Sequence, residues 1–424
     1  MTDSRRLKTS RTFRVGTRGS QLALTQGGWA LDQLKRAWPG VAFELKVITT
    51  HGDRVHDIPL PQIGERGLFV KEIEAALARH DIDLAIHSLK DVPTELAPGM
   101  ELVAITSRAD PRDALVAGGA SGAVDDGPRV SGSGGGLTND RPGDRPAGNP
   151  PAGGLADNQL GGGSADSRSA GARPSDNPPG VGPVDSPWGD GAALPSLAKG
   201  ARLGTGSLRR IAQLKYHRPD LQFVPVRGNL DTRLRKLARE QLDGLVLACA
   251  GLDRLGRSEV VSERISPEIC LPAAGQGALA IEARADDFEA RKMALGIQDT
   301  AARLEALAER SFLGALGGGC HVPIGVLARL EGNLLRLAGT VAEPSGQKLV
   351  RAELSEELDC WSGMVNKEGM GSSEGMVRGV EISLEGEHTS QQAVNLGQRL
   401  ARMLLEQGAG EILAAFPPIE PWLS

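Results

Sequence analysis

Aromatic residues are scarce: five Trp, one Tyr and seven Phe make up 3% of the 424 residues. With so few rings and a net charge of -5, the chain lacks the basic, ring-studded stripe of a nucleic-acid binder. Nucleic acid is therefore not an expected partner. Cysteine is equally rare. Cys249, Cys270, Cys320 and Cys360 stand far apart with no CxxC pair, which argues against a disulfide framework and a zinc knuckle. No apolar run is long enough for a helix to cross a bilayer, and the basic first stretch lacks the apolar core of a secretory signal. A cytoplasmic protein without membrane contact is expected. Lysine is the last shortage: 11 of the 48 basic residues are lysine and 37 are arginine. A guanidinium is a planar fork matched to carboxylate and phosphate, so the positions of the arginines decide whether the bias reflects binding or only composition.

What is present divides the chain unevenly. Residues 118–191 hold 20 Gly and 10 Pro, too little apolar surface to offset the entropy of ordering them, and read as a disordered insert in a surface loop. A second irregular stretch spans 356–389. Elsewhere strand and helix alternate. Residues 13–16, 44–48 and 84–87 read as strands, with helices over 21–38, capped by Ser20, and 68–79. The order recurs with a helix from Ser207, a strand over 223–226, a helix over 230–239 and a strand over 245–250 that contains Cys249. Such alternation predicts parallel sheets. RVGTRGSQLAL at 14–24 and RLGTGSLRRIAQL at 202–214 echo each other, as two similar α/β domains would. The last part reads as an antiparallel meander covered by a helix over 391–406.

In open α/β sheets ligands sit beyond the carboxyl ends of the strands. Arg18, Arg209, Arg210, Arg227, Arg233 and Arg254 all fall on such turns. Singly each reads as a solvated surface arginine; together they imply a crevice for a polyanion, and a carboxylated one, since neither a P-loop nor GxGxxG is present. Asp91, in HSLKDVP, ends the strand DLAIHSL and faces the same cations, where a carboxylate could steady a cationic intermediate and shuttle a proton. Its plainer reading is a helix cap or a salt bridge to Lys90. Cys320 follows Gly317, Gly318 and Gly319, which clear space beside the thiol for a bulky group. The segment HGDRVHD at 51–57 reads as a polar loop, and no metal site is expected.

Together the segments GTRGSQLAL, GLFVKEIE, HSLKDVP, DPRDALV, GTGSLRR, RGNLDTRL, AGLDRLG, LPAAGQGAL and GGGCHVPIG resemble the hydroxymethylbilane synthase (porphobilinogen deaminase) family, in that family's order. The resemblance implies a transferase that joins four porphobilinogen molecules head to tail, with release of ammonia, into linear hydroxymethylbilane for haem and other tetrapyrroles. It implies a dipyrromethane primer carried as a thioether on Cys320, with Asp91 as the catalytic carboxylate. Lys90, Ser207, Arg209 and Arg210, with Asp91, would hold that primer. Arg18, Ser20, Arg66, Phe69, Thr205, Arg227, Arg233, Arg254 and Gln276 would hold substrate. Two positions depart from the family pattern: Arg66 stands where lysine is frequent, and Gly206 where serine is.

The implied architecture is α/β: two domains like type II periplasmic binding proteins, hinged around a cleft, and a third, small α+β domain. Domain 1 would comprise 1–106 and 278–295, domain 2 residues 107–277, and domain 3 residues 296–424, with the primer cysteine. A monomer is expected. The alternative is a non-catalytic carboxylate-binding protein, which would need the arginines but neither the glycine-flanked thiol nor a carboxylate among cations.

Overall fold

The computed structural model describes residues 11–50, 70–118, 197–319, 322–359 and 384–416. All but the first residue of the 118–191 insert lies outside them. The first sheet begins with β1 (Thr12–Arg18), in which Phe13 and Val15 are buried. A parallel neighbour needs a crossover, and α1 (Gln21–Ala37) supplies it, bringing β2 (Ala42–Ile48) alongside from Thr12 opposite Ala42 to Arg18 opposite Ile48. After α2 (Lys71–Ala78), β3 (Leu84–Ser88) joins the other edge of β1, also parallel.

From there the topology departs from the parallel pattern. The chain makes β4 (Met100–Ile105), then β5 (Asp113–Ala117), which belongs to a second sheet. That sheet adds β6 (Arg202–Gly204), α3 (Leu208–His217), β7 (Gln222–Val224), α4 (Leu230–Arg239), β8 (Gly244–Ala248), α5 (Cys249–Arg254) and β9 (Glu263–Ile265). The chain then returns as β10 (Leu279–Arg284), which enters the first sheet antiparallel between β3 and β4. The orders are β2-β1-β3-β10-β4 and β7-β6-β8-β5-β9, and β5 is antiparallel to both its neighbours. Both sheets are thus mixed rather than parallel, because each receives one strand directly from the other. Two sheets with the same order, exchanging a strand, form the paired α/β arrangement anticipated for a type II binding-protein fold.

Two local expectations need correction. The apolar run LVLACAGL does not stay extended: β8 stops at Ala248, and Cys249 is buried at the start of α5. A buried strand running into a buried helix shows no break in hydrophobicity, so periodicity could not mark the change. The irregular stretch 356–389 is shorter than anticipated. Strand β13 (Leu349–Glu357) enters it, and helix α8 (Leu384–Leu404) begins seven residues before the expected start.

The third sheet, β11 (Ile324–Glu331), β12 (Leu334–Ala342) and β13, is an antiparallel meander. It packs on α7 (Thr300–Ala315) and α8 through Phe312, Leu337, Leu396 and Leu400. The helix α6 (Phe288–Leu295) closes the first sheet. Two crossings join the first two sheets, and they bind each other: Ala109 N–H donates to Gly277 O at 3.1 Å and Thr106 N–H to Leu279 O at 3.0 Å. Gly277 sits at φ +95°, and a Cβ there would overlap the Ala109 carbonyl oxygen. Fully buried Glu309 of α7 ties these crossings to the third sheet. It accepts from Arg108 Nη1 at 2.7 Å, Gly275 N at 2.6 Å and Ala328 N at 2.8 Å.

Candidate active site

The site grows from the end of β3. Its apolar residues are buried as far as His87, then Leu89–Asp91 form one tight helical turn, with Leu89 N–H bonded to the Ala278 carbonyl at the crossing. This leaves Asp91 on the wall of a cleft lined also by Arg18, Ser20, Gln26, His87 and Ser88, among others. Arg18 is the last residue of β1 rather than part of a turn. Ser20 caps α1, its Oγ accepting the Ala23 N–H at 3.3 Å. Ser88 Oγ donates to Gln26 Oε1 at 3.1 Å, fixing the amide beside Asp91.

Two cations feel the same carboxylate: Lys90, its neighbour in the turn after β3, and Arg233 of α4 beside the second sheet. Lys90 is partly buried, and desolvation pushes its amine below the ordinary lysine range, against the pull of Asp91. Arg233 is brought down to about 10 by desolvation and then by Arg210, with Asp91 again opposing. Its Nε donates to Gly228 O at 2.8 Å, which aims the guanidinium along the RGN turn. Desolvation also lowers Arg227, and it brings Arg254 to about 10. Arg254 Nη2 donates to Gly277 O at 2.6 Å, and its helix α5 packs against the start of α1 at the cleft edge.

Of the predicted residues, Arg18, Ser20 and Asp91 line this cleft. Arg209 and Arg210 clamp Asp113, the first residue of β5: Arg209 Nη1 reaches Oδ2 and Arg210 Nη2 reaches Oδ1, each at 2.7 Å. Gln276 Nε2 joins them at 2.9 Å from Oδ1, and also donates to Pro111 O at 2.7 Å. All four side chains are buried. Thr205 Oγ1 accepts the Ser207 N–H at 3.3 Å, and Ser207 caps α3 without a side-chain bond of its own. Cys320, Arg66, Phe69 and the HGDRVHD segment lie outside the described residues.

Sequence reasoning singled out neither Gln26, His87 nor Ser88 as site residues. It also missed Arg310 of α7, whose guanidinium holds the backbone just past Asp91 by donating to Val92 O at 3.0 Å and Pro93 O at 2.6 Å. Only its partners, far away in sequence, give it that meaning.

Comparison with known proteins decides the family. Residues 13–134 and 184–292 match the model described as porphobilinogen deaminase, dipyromethane cofactor binding domain, and residues 303–360 match the porphobilinogen deaminase C-terminal domain. The chain belongs to the porphobilinogen deaminase family. Porphobilinogen deaminases of Pelotomaculum thermopropionicum and Roseiflexus sp. are 38% and 39% identical to it over 403 residues, covering 95% of this chain and 96% and 99% of their own. The deaminase of Nostoc sp. is 38% identical over 95% of this chain. The chain is thus a transferase of tetrapyrrole synthesis with a dipyrromethane cofactor-binding domain. Between the two matched pieces of that domain, residues 135–183 match nothing in the family model and fall within the Gly- and Pro-rich insert.

The deaminase cofactor is a string of pyrroles bearing acetate and propionate groups, and the residues present fit it. Lys90, Arg227, Arg233 and Arg254 are all held below their ordinary acidity range by desolvation. Of these, Lys90 and Arg233 feel the charge of Asp91, and a ligand rich in carboxylates would offset the desolvation that all four bear.

Proposed function

We propose that the chain builds linear hydroxymethylbilane from four porphobilinogen molecules on a dipyrromethane held as a thioether by Cys320, with Asp91 as the catalytic carboxylate. The observation that carries this is Asp91 itself, an acid at a strand end, opening on a cleft and felt by two partly desolvated cations, Lys90 and Arg233. When bound, the cofactor supplies the pyrrole ring to which the first substrate is joined. Asp91 holds the substrate's pyrrole N–H and steadies the positive charge that develops as the amine leaves as ammonia. Arg18, Arg227, Arg233 and Arg254 grip acetate and propionate groups. Ser20, Thr205 and Ser207 add hydroxyl or helix-terminus donors, and Lys90 contacts the cofactor. Arg66 and Phe69 complete the substrate contacts in this reading.

Arg209 and Arg210 hold the cofactor and Gln276 the substrate in this reading, and their bonds to Asp113 would present them as fixed groups, with Arg209 and Arg210 coupled to Lys90 and Arg210 to Arg233. The three sheets support the three-domain division at 106, 277 and 295, the acidic, ring-poor composition supports a chain that binds no nucleic acid, and in this reading the chain is a cytoplasmic monomer. Sedimentation of the purified protein tests the monomer. Intact mass tests the chemistry: the purified protein should carry two pyrrole units, absent from Cys320→Ala. A wild-type mass equal to the bare polypeptide, unchanged by incubation with porphobilinogen, would overturn the assignment of Cys320.

A further inference from the structure

At the base of the cleft lies a pair that the reading above leaves unused. His87 and Glu282 are diagonal neighbours on one face of the first sheet, because His87 opposes Ala280 while Glu282 opposes Ala85 across the antiparallel β3–β10 pair. Both are buried, and His87 Nε2 lies 2.9 Å from Glu282 Oε2. The other carboxylate oxygen, Oε1, is buried and makes no close hydrogen bond among the described residues, while Glu74 of α2 interacts with the same carboxylate. Burying a carboxylate with one oxygen so poorly satisfied is costly, which sets it apart from a fully bonded structural ion pair. His87 also lines the cleft that holds Asp91. With Nε2 turned to Glu282, Nδ1 is the ring nitrogen that this carboxylate does not engage.

We propose that His87 is a second proton-handling residue of this site, accepting at Nδ1 the proton displaced from a pyrrole carbon at each condensation, with Glu282 as its positioning residue. The inference rests on the condensation chemistry given above. Every new carbon–carbon bond leaves the attacking ring carbon bearing a C–H bond that must break for the ring to regain aromaticity. Its electron pair returns to the ring and its proton passes to Nδ1, while Nε2–H stays donated to Glu282 Oε2. The resulting imidazolium faces the Glu282 carboxylate, then hands its proton to the released ammonia, which departs as ammonium. His87 is neutral again, and no outside reactant is needed. Asp91 is thereby left to manage positive charge while a separate base takes the proton.

Other charged groups stand around this pair. Glu74 of α2 is near Glu282 and is raised above the usual carboxylate range, first by desolvation and also by Glu282, while the Ala97 N–H lowers it. Arg310 of α7 supplies a cation whose charge Glu282 favours. Asp91 and Arg18 line the same cleft as His87.

The test uses holoenzyme of His87→Asn, His87→Gln and Glu282→Gln, each checked by mass for its two pyrroles. For the histidine variants, kcat should drop about 100-fold with little change in KM. Glu282→Gln should also lower kcat with little change in KM, and nitrogen NMR of labelled histidine should find His87 protonated at Nε2 and bare at Nδ1, a tautomer that Glu282→Gln disturbs. Activity within about threefold of wild type in both histidine variants would overturn the inference, as would a neutral His87 protonated at Nδ1. Where a histidine variant fails to fold, the Glu282→Gln kinetics and the tautomer decide. Protein that lacks the two pyrroles and is inert toward porphobilinogen would instead sink the functional reading itself.

Discussion

Asp113→Asn isolates the closed cluster around Asp113. The carboxylate is fully buried and receives Arg209, Arg210 and Gln276, each within 2.9 Å, with the Cys270 thiol at 3.5 Å. Burial alone would raise its pKa, yet Arg209 and Arg210 outweigh that and drive it far below the usual carboxylate range. An asparagine of the same size keeps one acceptor oxygen, turns an N–H toward a guanidinium that also donates, and leaves two buried cations facing no charge. Breaking a buried pair this way costs about 3–5 kcal/mol, a large share of the roughly 5–15 kcal/mol that holds a domain folded. Urea unfolding followed by far-UV circular dichroism measures it. A native carboxylate with a depressed pKa contributes its full stabilisation above the unfolded value of about 3.9 and loses it as pH falls below that. The gap between wild type and Asp113→Asn should therefore be widest near neutrality and should narrow in acid. A cost under about 1 kcal/mol at neutral pH, or a gap constant down to about pH 3, would refute the view of Asp113 as a charge clamp.

Asp91→Asn should give a folded protein, unchanged by circular dichroism, with turnover of porphobilinogen lowered at least ~100-fold; near-normal turnover would move the chemistry to another group. Arg310→Met removes the donors that hold the Val92 and Pro93 carbonyls, so steady-state kinetics should show kcat falling about 10-fold while the cofactor mass is retained. Gly277→Ala must place a side chain at φ +95° against the Ala109 carbonyl, and a thermal or urea melt should show a loss of about 1–3 kcal/mol.

How much of this was legible in the sequence depends on the range of the interactions involved. Helix α4 runs from Leu230 to Arg239 as its periodicity predicts, and Ser20 caps α1 as its position before QLAL suggests. Both signals are local. Strand β10 is different: LAIEAR is buried on both faces, so it carries no alternation, and its neighbours β3 and β4 are separated from it by the whole second sheet. That is why Glu282 went unnoticed, its partner His87 being 195 positions away. The arginines at strand ends were legible as a group, but their individual anions were not. Neighbours in TGSLRR, Arg209 and Arg210 turn together onto Asp113, a residue that reads from sequence only as part of DPRDALV.

The two carboxylates, Asp113 and Asp91, show how one device serves two ends. Each sits near arginines at the end of an interior strand. Around Asp113 the charges are matched by short bonds and sealed from water, and the acidity shifts run as balance requires, with Asp113 down and Arg209 up. Around Asp91 the shifts run the other way: Lys90 and Arg233 are pulled down because desolvation outweighs what the carboxylate returns. In the proposed reaction each pyrrole that enters brings two carboxylates, whose charge would offset that desolvation, while the closed cluster around Asp113 would keep the geometry of the neighbouring cations fixed.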